Sequence, residues 1–304
     1  MKTIVTGALQ LPEEDLRDLR AFGLEIFLHP DERQPVAHPE QYEAAICNGL
    51  FLYNPIERFT KLRAVQLTSA GYDRMPMEYA AAHGIRVYNA KGVYSKPMAE
   101  FAICGMLQLC KQSRFFAENQ KAHHWEKRKD LLELSEKTVC IVGAGNVGTE
   151  LAKRLRAFGC YIIGVNRTMW PKSAFDELLP LDALASACAQ SDIVILSIAL
   201  TDETRAIVRS CIPEKMRSGA ILVNIARGAL VDTGAVIDAL QTGHICGAVL
   251  DVFEEEPLGQ DSPLWDMENV ILTPHNSFVG ENGHLLFKLI KENLVREYDG
   301  AQLV

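Results

Sequence analysis

The chain has 304 residues, of which 31 are Lys or Arg and 39 are Asp or Glu, so its formal net charge is −8. A domain usually has about 150 residues, so this length predicts two domains. Hydrophobic residues make up 48% of the chain and charged residues 23%. This composition is typical of a globular protein and excludes a disordered, collagen-like or coiled-coil protein. An acidic chain without a basic block is a poor candidate for binding nucleic acid, because neutralising phosphates requires clustered Lys and Arg.

The apolar segments and the cysteines predict a soluble cytoplasmic protein with no membrane partner. The most apolar stretch, residues 99–110, contains Glu100 and Gln108 and is shorter than the ~18 apolar residues that a membrane span requires. Residues 1–7 are typical of a short strand rather than a signal peptide. The 8 Cys are scattered without a Cys-x-x-Cys pair, which is typical of small buried hydrophobes in a reducing compartment. No cluster has the spacing of metal ligands, so no metal is expected.

Apolar β-branched runs alternate with amphipathic segments along the chain, which predicts βαβ units and parallel sheets. The clearest early helix covers residues 12–22, with acidic residues in its first turn, Leu16 and Leu19 on one face and Gly23 at its end. The strands predicted in this part of the chain lie near residues 3–6, 24–28, 44–47, 64–67 and 86–88. These elements indicate a small open α/β domain.

A long helix is predicted after Ser95, its candidate N-cap, running past Cys110 toward Gln120. After Pro274 the pattern is helical again. The strands predicted between these helices lie at residues 138–142, 161–165, 193–197, 221–224, 248–252 and 270–272. Their near-continuous apolar character suits a parallel sheet covered on both faces. The chain therefore predicts two doubly wound parallel-sheet units, joined near residues 92–98 and near 274.

Residues 143–148 read Gly-Ala-Gly-Asn-Val-Gly and connect a predicted strand to a helix over residues 149–158. The first glycine allows a tight turn, the second lets the backbone approach a pyrophosphate, and the third lets the helix pack on the strand. The alternative is a strand–helix turn without a ligand, but the flanking elements favour a dinucleotide site. The residues expected to contact the cofactor are Gly143, Gly145, Asn146, Val147 and Gly148.

The next strand ends at Asn166, Arg167 and Thr168, where sites that select NAD usually carry an acidic residue. Arg167 can pair with a 2′-phosphate, and Asn166 and Thr168 can donate hydrogen bonds to it. This pattern predicts a preference for NADP(H). The alternative is that Arg167 stacks on the adenine and that NAD(H) binds as well.

Three further motifs follow the cofactor segments. Residues 224–232 read Asn-Ile-Ala-Arg-Gly-Ala-Leu-Val-Asp, residues 250–257 read Leu-Asp-Val-Phe-Glu-Glu-Glu-Pro, and residues 272–276 read Leu-Thr-Pro-His-Asn. Together with the glycine loop, they resemble the D-isomer-specific 2-hydroxyacid dehydrogenase family over essentially the whole chain. The catalytic Arg, Glu and His of that family match by spacing Arg227, Glu256 and His275.

The chemistry implied by the resemblance accounts for these residue types. Reduction of a 2-keto acid requires a hydride from a nicotinamide, a proton for the developing alkoxide, and a cation that binds the carboxylate and polarises the carbonyl. An imidazole such as His275 exchanges protons near neutral pH, and a carboxylate such as Glu256 stabilises the imidazolium. The planar guanidinium of Arg227 suits a carboxylate and its adjacent carbonyl. Taken singly, a Glu in an acidic run is usually solvated and a His after Pro is usually in a capped turn, but the joint spacing favours the catalytic interpretation.

The resemblance also implies further ligand contacts. By this resemblance, the backbone N–H groups of Ala70 and Gly71 are expected to bind the substrate carboxylate. Asp251 is expected to form a hydrogen bond with the nicotinamide carboxamide, and Ala226 to contact the cofactor. Phe51, in an apolar loop, contacts the substrate side chain, with a role in the core as the alternative.

One residue departs from the family pattern. Lys91 stands where the family commonly has Pro. It either adds positive charge toward a second acidic group of the substrate or is simply solvated.

The resemblance further implies a Rossmann cofactor domain, residues 93–274, inserted into a smaller flavodoxin-like substrate domain, residues 1–92 plus 275–304. His275 then lies at the hinge, and the two domains are expected to close over the substrate. The segment after Ser95 is similar to the family's homodimer surface, so a homodimer is expected.

Two related kinds of enzyme are disfavoured. Formate dehydrogenase pairs its His with Gln, where this chain has Glu256. The longer phosphoglycerate dehydrogenases carry a regulatory domain for which 304 residues leave no room. The alternative of a different class is a non-catalytic NADP(H) sensor or corepressor-like protein.

Overall fold

The structure is a computed structural model that describes residues 1–9, 11–169 and 173–302, without the side chains of residues 206 and 299–302. The chain divides into two compact units. Unit 1 comprises Met1–Tyr94 and Gly280–Val304, and unit 2 comprises Ser95–Val279. The chain therefore passes between the units a few residues after the predicted positions 92 and 274, and His275 lies in unit 2.

The strands and helices alternate along the chain. The strands are β1 Lys2–Thr6, β2 Glu25–His29, β3 Ala44–Cys47, β4 Ala64–Leu67, β5 Arg86–Tyr88, β6 Thr138–Val142, β7 Tyr161–Val165, β8 Glu177–Leu179, β9 Ile193–Leu196, β10 Ala220–Asn224, β11 Ile245–Leu250 and β12 Val270–Leu272. The α-helices are α1 Glu13–Ala21, α2 Leu50–Tyr53, α3 Met77–Ala82, α4 Ser95–Cys110, α5 Ser113–Ala122, α6 Asn146–Ala157, α7 Leu184–Gln190, α8 Asp202–Arg209, α9 Thr233–Gln241 and α10 Gly283–Gln302.

Unit 1 is built on a parallel sheet with the strand order β2-β1-β3-β4-β5 in the part of the chain that the structure describes. Its inner strands are short apolar runs, and all four residues of β3 and of β4 are buried. The apolar stripe of α10, with Leu286, Ile290 and Leu294, packs into the core beside Leu19 of α1. The order reverses between β1 and β3, which is the flavodoxin-like switch point where such sheets usually bind ligands.

The carboxylate of Glu32 lies at this switch point of unit 1. It accepts hydrogen bonds from the Thr6 hydroxyl at 2.6 Å and from the backbone N–H groups of Asn48 and Gly49, both at 2.7 Å. Thr6 is the last residue of β1, and Asn48 and Gly49 directly follow β3. An internal side chain thus satisfies the backbone donors that begin the loop before α2.

Unit 2 is built on a larger parallel sheet, whose order over the described residues is β12-β11-β10-β9-β6-β7-β8. The central strands β6, β9 and β10 are almost completely buried, because helices cover both faces of the sheet. The order reverses between β6 and β9, so the carboxyl ends of these two strands form the Rossmann switch point. Close packing of α4 against the sheet depends on Gly105, since a Cβ there would lie 2.6 Å from a methyl carbon of Val249.

The predicted fold class is confirmed, with two doubly wound parallel-sheet units, and the differences concern element boundaries. The single helix predicted from Ser95 toward Gln120 is wrong, because Gln112 adopts a left-handed conformation (φ +51°) that separates α4 from α5. The strand β8 was not predicted, because Glu177, Leu178 and Leu179 include none of the β-branched or aromatic residues that are typical of strands. Helix α6 begins at Asn146, earlier than position 149, so the last motif glycine lies inside the helix.

Two cysteines differ from the expectation of burial. Cys104 and Cys246 are exposed, whereas the other cysteines are buried and free. Both lie in regular elements but on sides that face away from the core. No helix within the described ranges combines the length and the apolar character needed to cross a membrane.

Candidate active site

The glycine loop follows β6 at the switch point of unit 2. Gly143 has a φ of +106°, and a Cβ there would lie 2.6 Å from the backbone N of Ile198. A Cβ on Gly148 would lie 2.1 Å from the carbonyl oxygen of Gly143. The hydroxyl of Ser197, just after β9, donates to that same carbonyl at 2.9 Å. These contacts fix the loop as a tight turn from β6 into α6 that packs against the end of the neighbouring strand β9.

Gly145 differs from the other two glycines of the loop. A Cβ on Gly145 would meet no protein atom within 4 Å, so the space above this residue is open. Gly145 is also the N-cap of α6 and has no side chain to accept from the first N–H groups of the helix, including those of Asn146 and Val147. Unpaired N–H groups at a helix N-terminus attract an anion. The loop therefore fits the diphosphate of a dinucleotide.

The residues after β7 lie beside this loop, because β7 pairs with β6 in parallel. The side-chain amide of Asn166 donates to the carbonyl oxygen of Thr168 at 2.8 Å, which closes a turn around Arg167. The Arg167 guanidinium is exposed and lies 3.8 Å from the carboxylate of Glu203 in the first turn of α8. No acidic residue occupies the turn 166–168 itself.

Arg227 follows the carboxyl end of β10 and is half-buried. Asn224, the last residue of β10, is fully buried and accepts from the Ala226 N–H at 3.1 Å through its Oδ1. Its Nδ2 donates to the carbonyl oxygen of Arg227, also at 3.1 Å. The Arg227 guanidinium donates to the Ala226 carbonyl oxygen at 2.7 Å. Asn224 thus shapes the turn that presents Arg227.

His275 and Glu256 form a pair in which His275 Nδ1 lies 2.9 Å from Glu256 Oε2. The other carboxylate oxygen of Glu256 accepts from the backbone N–H of Phe253 at 3.1 Å. Because Nδ1 faces the carboxylate, Nε2 is the ring nitrogen available for exchange with a substrate. About a third of each side chain is exposed, so the pair is open to ligands on one side.

The loop that carries His275 is held by Asp251, which follows β11 directly and is fully buried. Asp251 Oδ1 accepts from the Thr273 hydroxyl at 2.7 Å and from the Asn276 N–H at 2.8 Å, and Oδ2 accepts from the Ser277 N–H at 3.0 Å. The N–H of His275 donates to the Asp251 carbonyl oxygen at 2.8 Å. His275 itself has a φ of +52°, a left-handed conformation that is uncommon for residues other than glycine.

The residues predicted to bind the substrate carboxylate lie in unit 1, after β4. The carbonyl oxygen of Ala70 accepts from the side-chain amide of Asn89 at 2.6 Å, and that of Gly71 accepts from the Ser69 hydroxyl at 3.0 Å. Ala70 is exposed and Gly71 half-buried. The carbonyl groups are thus engaged within the loop.

The other residues predicted on the substrate side of unit 1 are Phe51 and Lys91. The Phe51 ring packs edge-on against Phe59, with centroids 5.4 Å apart, so much of it contributes to the core. Its neighbour Leu52 is exposed. Lys91 is exposed and its backbone N–H donates to Asn89 Oδ1 at 3.3 Å.

Sequence reasoning missed Ser197 and Asn224 as residues that hold these loops in place, and it gave Asp251 a contact to the cofactor but no role within the loop. Ser197, Asn224 and Asp251 each stand at or directly after the carboxyl end of a buried strand of unit 2. A polar residue that ends an apolar run is therefore the signal that could have found them, since ligands bind at the carboxyl ends of parallel strands.

Comparison with known proteins identifies the family of the chain. The family described as "D-isomer specific 2-hydroxyacid dehydrogenase, NAD binding domain" matches residues 103–277. A glyoxylate reductase from Korarchaeum cryptofilum is 32% identical over 311 residues, which cover 97% of this chain and 92% of that protein. A glyoxylate reductase from Pyrococcus furiosus is 36% identical over 248 residues, 79% of this chain and 74% of that protein.

A solved structure is similar over almost the whole chain. It is a D-isomer specific 2-hydroxyacid dehydrogenase from Xanthobacter autotrophicus Py2 in complex with NADPH and MES. Its TM-score is 0.79 at 28% sequence identity, and the match covers 99% of this chain and 95% of that one.

The Rossmann sheet and its glycine loop, together with these relatives, identify a nicotinamide-dependent oxidoreductase. The chain belongs to the D-isomer-specific 2-hydroxyacid dehydrogenase family and is an NAD(P)-dependent member of it.

Proposed function

We propose that the protein reduces a small 2-keto acid to the D-2-hydroxy acid with NADPH as the preferred cofactor and NADH as the weaker one. The observation that carries this proposal is the 2.9 Å contact between His275 and Glu256, in the same unit as the glycine loop. The relatives named glyoxylate reductase support a small keto acid as substrate. The NADPH bound to the Xanthobacter protein supports the cofactor.

The residues of this chain have distinct roles in the proposed reaction. A nicotinamide cofactor bound at the glycine loop supplies the hydride, and Asp251 and Ala226 are proposed to contact it. His275 gives a proton from Nε2 to the substrate oxygen, while Glu256 holds Nδ1–H and stabilises the imidazolium. Arg227 binds the carboxylate and polarises the carbonyl of the substrate. In the opposite direction, His275 accepts the proton.

Variants of the pair test this assignment. His275→Ala should lower kcat for keto-acid reduction by ~10²–10⁴-fold, because a positioned general acid contributes that much. Glu256→Gln should also lower kcat and narrow the pH range of activity, since an amide stabilises the imidazolium less than a carboxylate does. The matched control is Glu255→Gln, which neutralises the exposed neighbour in the same acidic run and should leave kcat unchanged. Near-full kcat/KM in His275→Ala would refute the assignment.

The cofactor preference rests on the turn at residues 166–168. Arg167→Ala should raise the KM for NADPH and leave that for NADH nearly unchanged, because only NADPH carries the 2′-phosphate. Glu203→Gln should act in the opposite direction, lowering the KM for NADPH about twofold to fivefold, because it removes a carboxylate that competes for the guanidinium. Equal kcat/KM values for both cofactors in the unaltered enzyme would contradict the preference.

We propose that the substrate contacts in unit 1 come from the backbone N–H groups of Ala70 and Gly71 and from Phe51. Turnover of a panel of glyoxylate, hydroxypyruvate, pyruvate, 2-ketoisovalerate and phenylpyruvate with both cofactors would identify the substrate. Phe51→Ala should change the ratio of kcat/KM values across this panel. Binding of NADPH without turnover of any member would instead favour a sensor.

We also propose a homodimer in which a second copy covers the outer face of α4. A groove of about 500 Å³ lies there, between α4 and α6, lined by apolar atoms that include those of Ile103, Leu107 and Phe158. In the same unit, Trp125 is 96% exposed. Leu107→Glu should convert the dimer to a monomer in light scattering. Dimerisation should also protect Cys104 of the groove from iodoacetamide more than the exposed Cys246. A monomer at micromolar concentration in the unaltered protein would contradict this.

A further inference from the structure

The acidic run Glu254–Glu256 contains residues with different surroundings. Glu256 contacts His275, and Glu255 is exposed. Glu254 faces another part of unit 2. Its Oε1 accepts from Arg209 Nη1 at 2.5 Å, and its Oε2 accepts from the Thr233 N–H at 2.8 Å. The first glutamate of the run is therefore an anchor for the segment that carries the third.

Arg209, the last residue of α8, joins several chain segments at this point. Its Nη1 also donates to the Val231 carbonyl oxygen at 3.1 Å, and its Nη2 donates to Asp232 Oδ2 at 2.8 Å. Asp232 is the N-cap of α9 and accepts from the Ala235 N–H at 3.0 Å. A planar guanidinium can bridge two carboxylates in a fixed geometry, which a lysine ammonium does not do. Arg209 thus connects the start of α9 to Glu254.

The backbone of Phe253 and Glu254 lies directly against Gly228, the residue after Arg227. A Cβ on Gly228 would lie 1.8 Å from the carbonyl carbon of Phe253 and 2.4 Å from the N of Glu254. The Phe253 N–H in turn donates to Glu256 at 3.1 Å. Any displacement of this backbone would therefore reach both the Arg227 turn and the Glu256 carboxylate.

We propose that Arg209 and Glu254 are positioning residues that hold the backbone of residues 253–256. They keep Glu256 in contact with His275 and keep the turn that carries Arg227 in its position. The inference rests on the proposed function, because its consequence is catalytic. The side chains of Arg209 and Glu254 are more than 30% exposed, so their pairing contributes little to global stability. They act by fixing the positions of catalytic groups, since a shift of about 1 Å in such a group can lower the rate by ~10²-fold.

The test compares Arg209→Met and Glu254→Gln with the unaltered enzyme. Arg209→Met keeps the apolar stem but removes the guanidinium, and Glu254→Gln keeps an acceptor for Thr233 while weakening the contact to Arg209. Both should lower kcat by ~10- to 100-fold. The KM for the cofactor should change less than about twofold, because the glycine loop is untouched. Arg209→Lys should restore only part of the lost activity, since a single ammonium cannot bridge Asp232 and Glu254.

A second readout examines the His275 ring without turnover or cofactor. In ¹⁵N-histidine-labelled protein, the ring shifts of neutral His275 report its tautomer, and His275→Ala identifies the signals. The contact to Glu256 selects the Nδ1–H tautomer. Arg209→Met and Glu254→Gln should shift the ring toward a mixture of tautomers, which a change in stability alone would not produce.

The control is a second arginine–carboxylate pair of the same construction in unit 2. Arg217 Nη1 donates to Asp192 Oδ1 at 2.8 Å, and Asp192 Oδ2 accepts from the Thr138 N–H at 3.0 Å. This pair lies at the amino ends of β6 and β9, away from the loops of the site. Arg217→Met should leave both kcat and the tautomer unchanged.

The outcomes separate the inference from the proposed function. Unchanged kcat and an unchanged tautomer in Arg209→Met and Glu254→Gln would overturn the inference, as would equal losses in Arg217→Met. If His275→Ala retained full activity, the proposed function would fail. The tautomer comparison would still decide whether Arg209 and Glu254 position Glu256 against His275.

Discussion

At the scale of single residues, Asp251 shows how a strained histidine is held in place. Its buried carboxylate accepts three hydrogen bonds from Thr273, Asn276 and Ser277, and its carbonyl accepts the His275 N–H. Left-handed residues other than glycine persist where the surroundings over-determine them, and such residues cluster at active sites. Asp251 therefore has a positioning role within the loop, in addition to the contact to the nicotinamide that is proposed above.

The glycines of the loop provide a prediction at the same scale. Gly145→Ala should fold with unchanged Tm, because the added Cβ meets no protein atom within 4 Å. It should nevertheless weaken NADPH binding tenfold or more, equivalent to about 1.4 kcal/mol, by filling the space proposed for the diphosphate. Gly148→Ala should destabilise the protein itself by about 1–3 kcal/mol, since its Cβ would overlap the Gly143 carbonyl oxygen. Thermal unfolding and fluorescence titration measure the two effects, and unweakened binding by Gly145→Ala would argue against a diphosphate at this loop.

Residue types and spacing predicted the glycine loop, whereas His275 and Glu256 were predicted as partners from the resemblance to the family, whose motif spacing they match. The roles of Glu254 and Arg209 could not be predicted, because a glutamate in an acidic run is usually solvated and an arginine at a helix end usually faces water. Their contact joins positions far apart in the chain. Only the folded arrangement of α8, the start of α9 and the loop after β11 brings them together.

At the scale of elements, the apolar patterns predicted most strands because buried parallel strands are continuous runs of Val, Ile and Leu. The helix predicted after Ser95 was too long because no Gly or Pro marks the break. Gln112 adopts the left-handed conformation there without a sequence signal. The strand β8 was missed because its residues, Glu-Leu-Leu, are not the β-branched or aromatic types that favour strands, and only its pairing with β7 makes it one.

Helix α10 provides the prediction at this scale. Asn293 of this helix is buried and donates to Gln66 Oε1 of β4 at 2.8 Å. Asn293→Ala should lower the free energy of unfolding of unit 1 by about 1–3 kcal/mol, because it leaves the buried amide oxygen of Gln66 without this donor. The control is Glu292→Ala, which removes only an exposed pairing with Lys288 and should cost less than about 0.5 kcal/mol. Hydrogen exchange of β4 measures both, and equal protection in the two variants would contradict the importance of this contact.

At the scale of the whole molecule, carboxylates paired with arginine make stability depend on pH. Hydrogen bonds from Ala235 and Arg209 lower the pKa of Asp232. Burial opposes ionisation of Glu254, but hydrogen bonds from Thr233 and Arg209 outweigh it, so its pKa is also lowered. Because these folded-state pKa values lie below the unfolded ones, the stabilisation is complete above about pH 4.5 and is lost as the pH falls through the folded values.

The prediction is a fall in the free energy of unfolding below about pH 4 that is slightly shallower in Arg209→Met than in the unaltered protein, because these exposed pairs contribute only a small part of the stability. Denaturant unfolding at a series of pH values measures it. Arg217→Met provides the comparison for loss of an arginine elsewhere in unit 2. Identical acid dependence in the unaltered protein and Arg209→Met would show that this arginine does not stabilise the two ionised carboxylates.

Each of the two sheets has a switch point at which its strand order reverses, but the switch point of unit 1 already contains the carboxylate of Glu32. In unit 1 a tethered carboxylate already occupies the backbone donors of Asn48 and Gly49, in the crevice where a doubly wound sheet otherwise receives a nucleotide. In the smaller sheet, the Glu32 carboxylate thus takes the place that a phosphate group would otherwise occupy. Titration with a dinucleotide should therefore saturate at one molecule per chain, although both units are doubly wound parallel sheets.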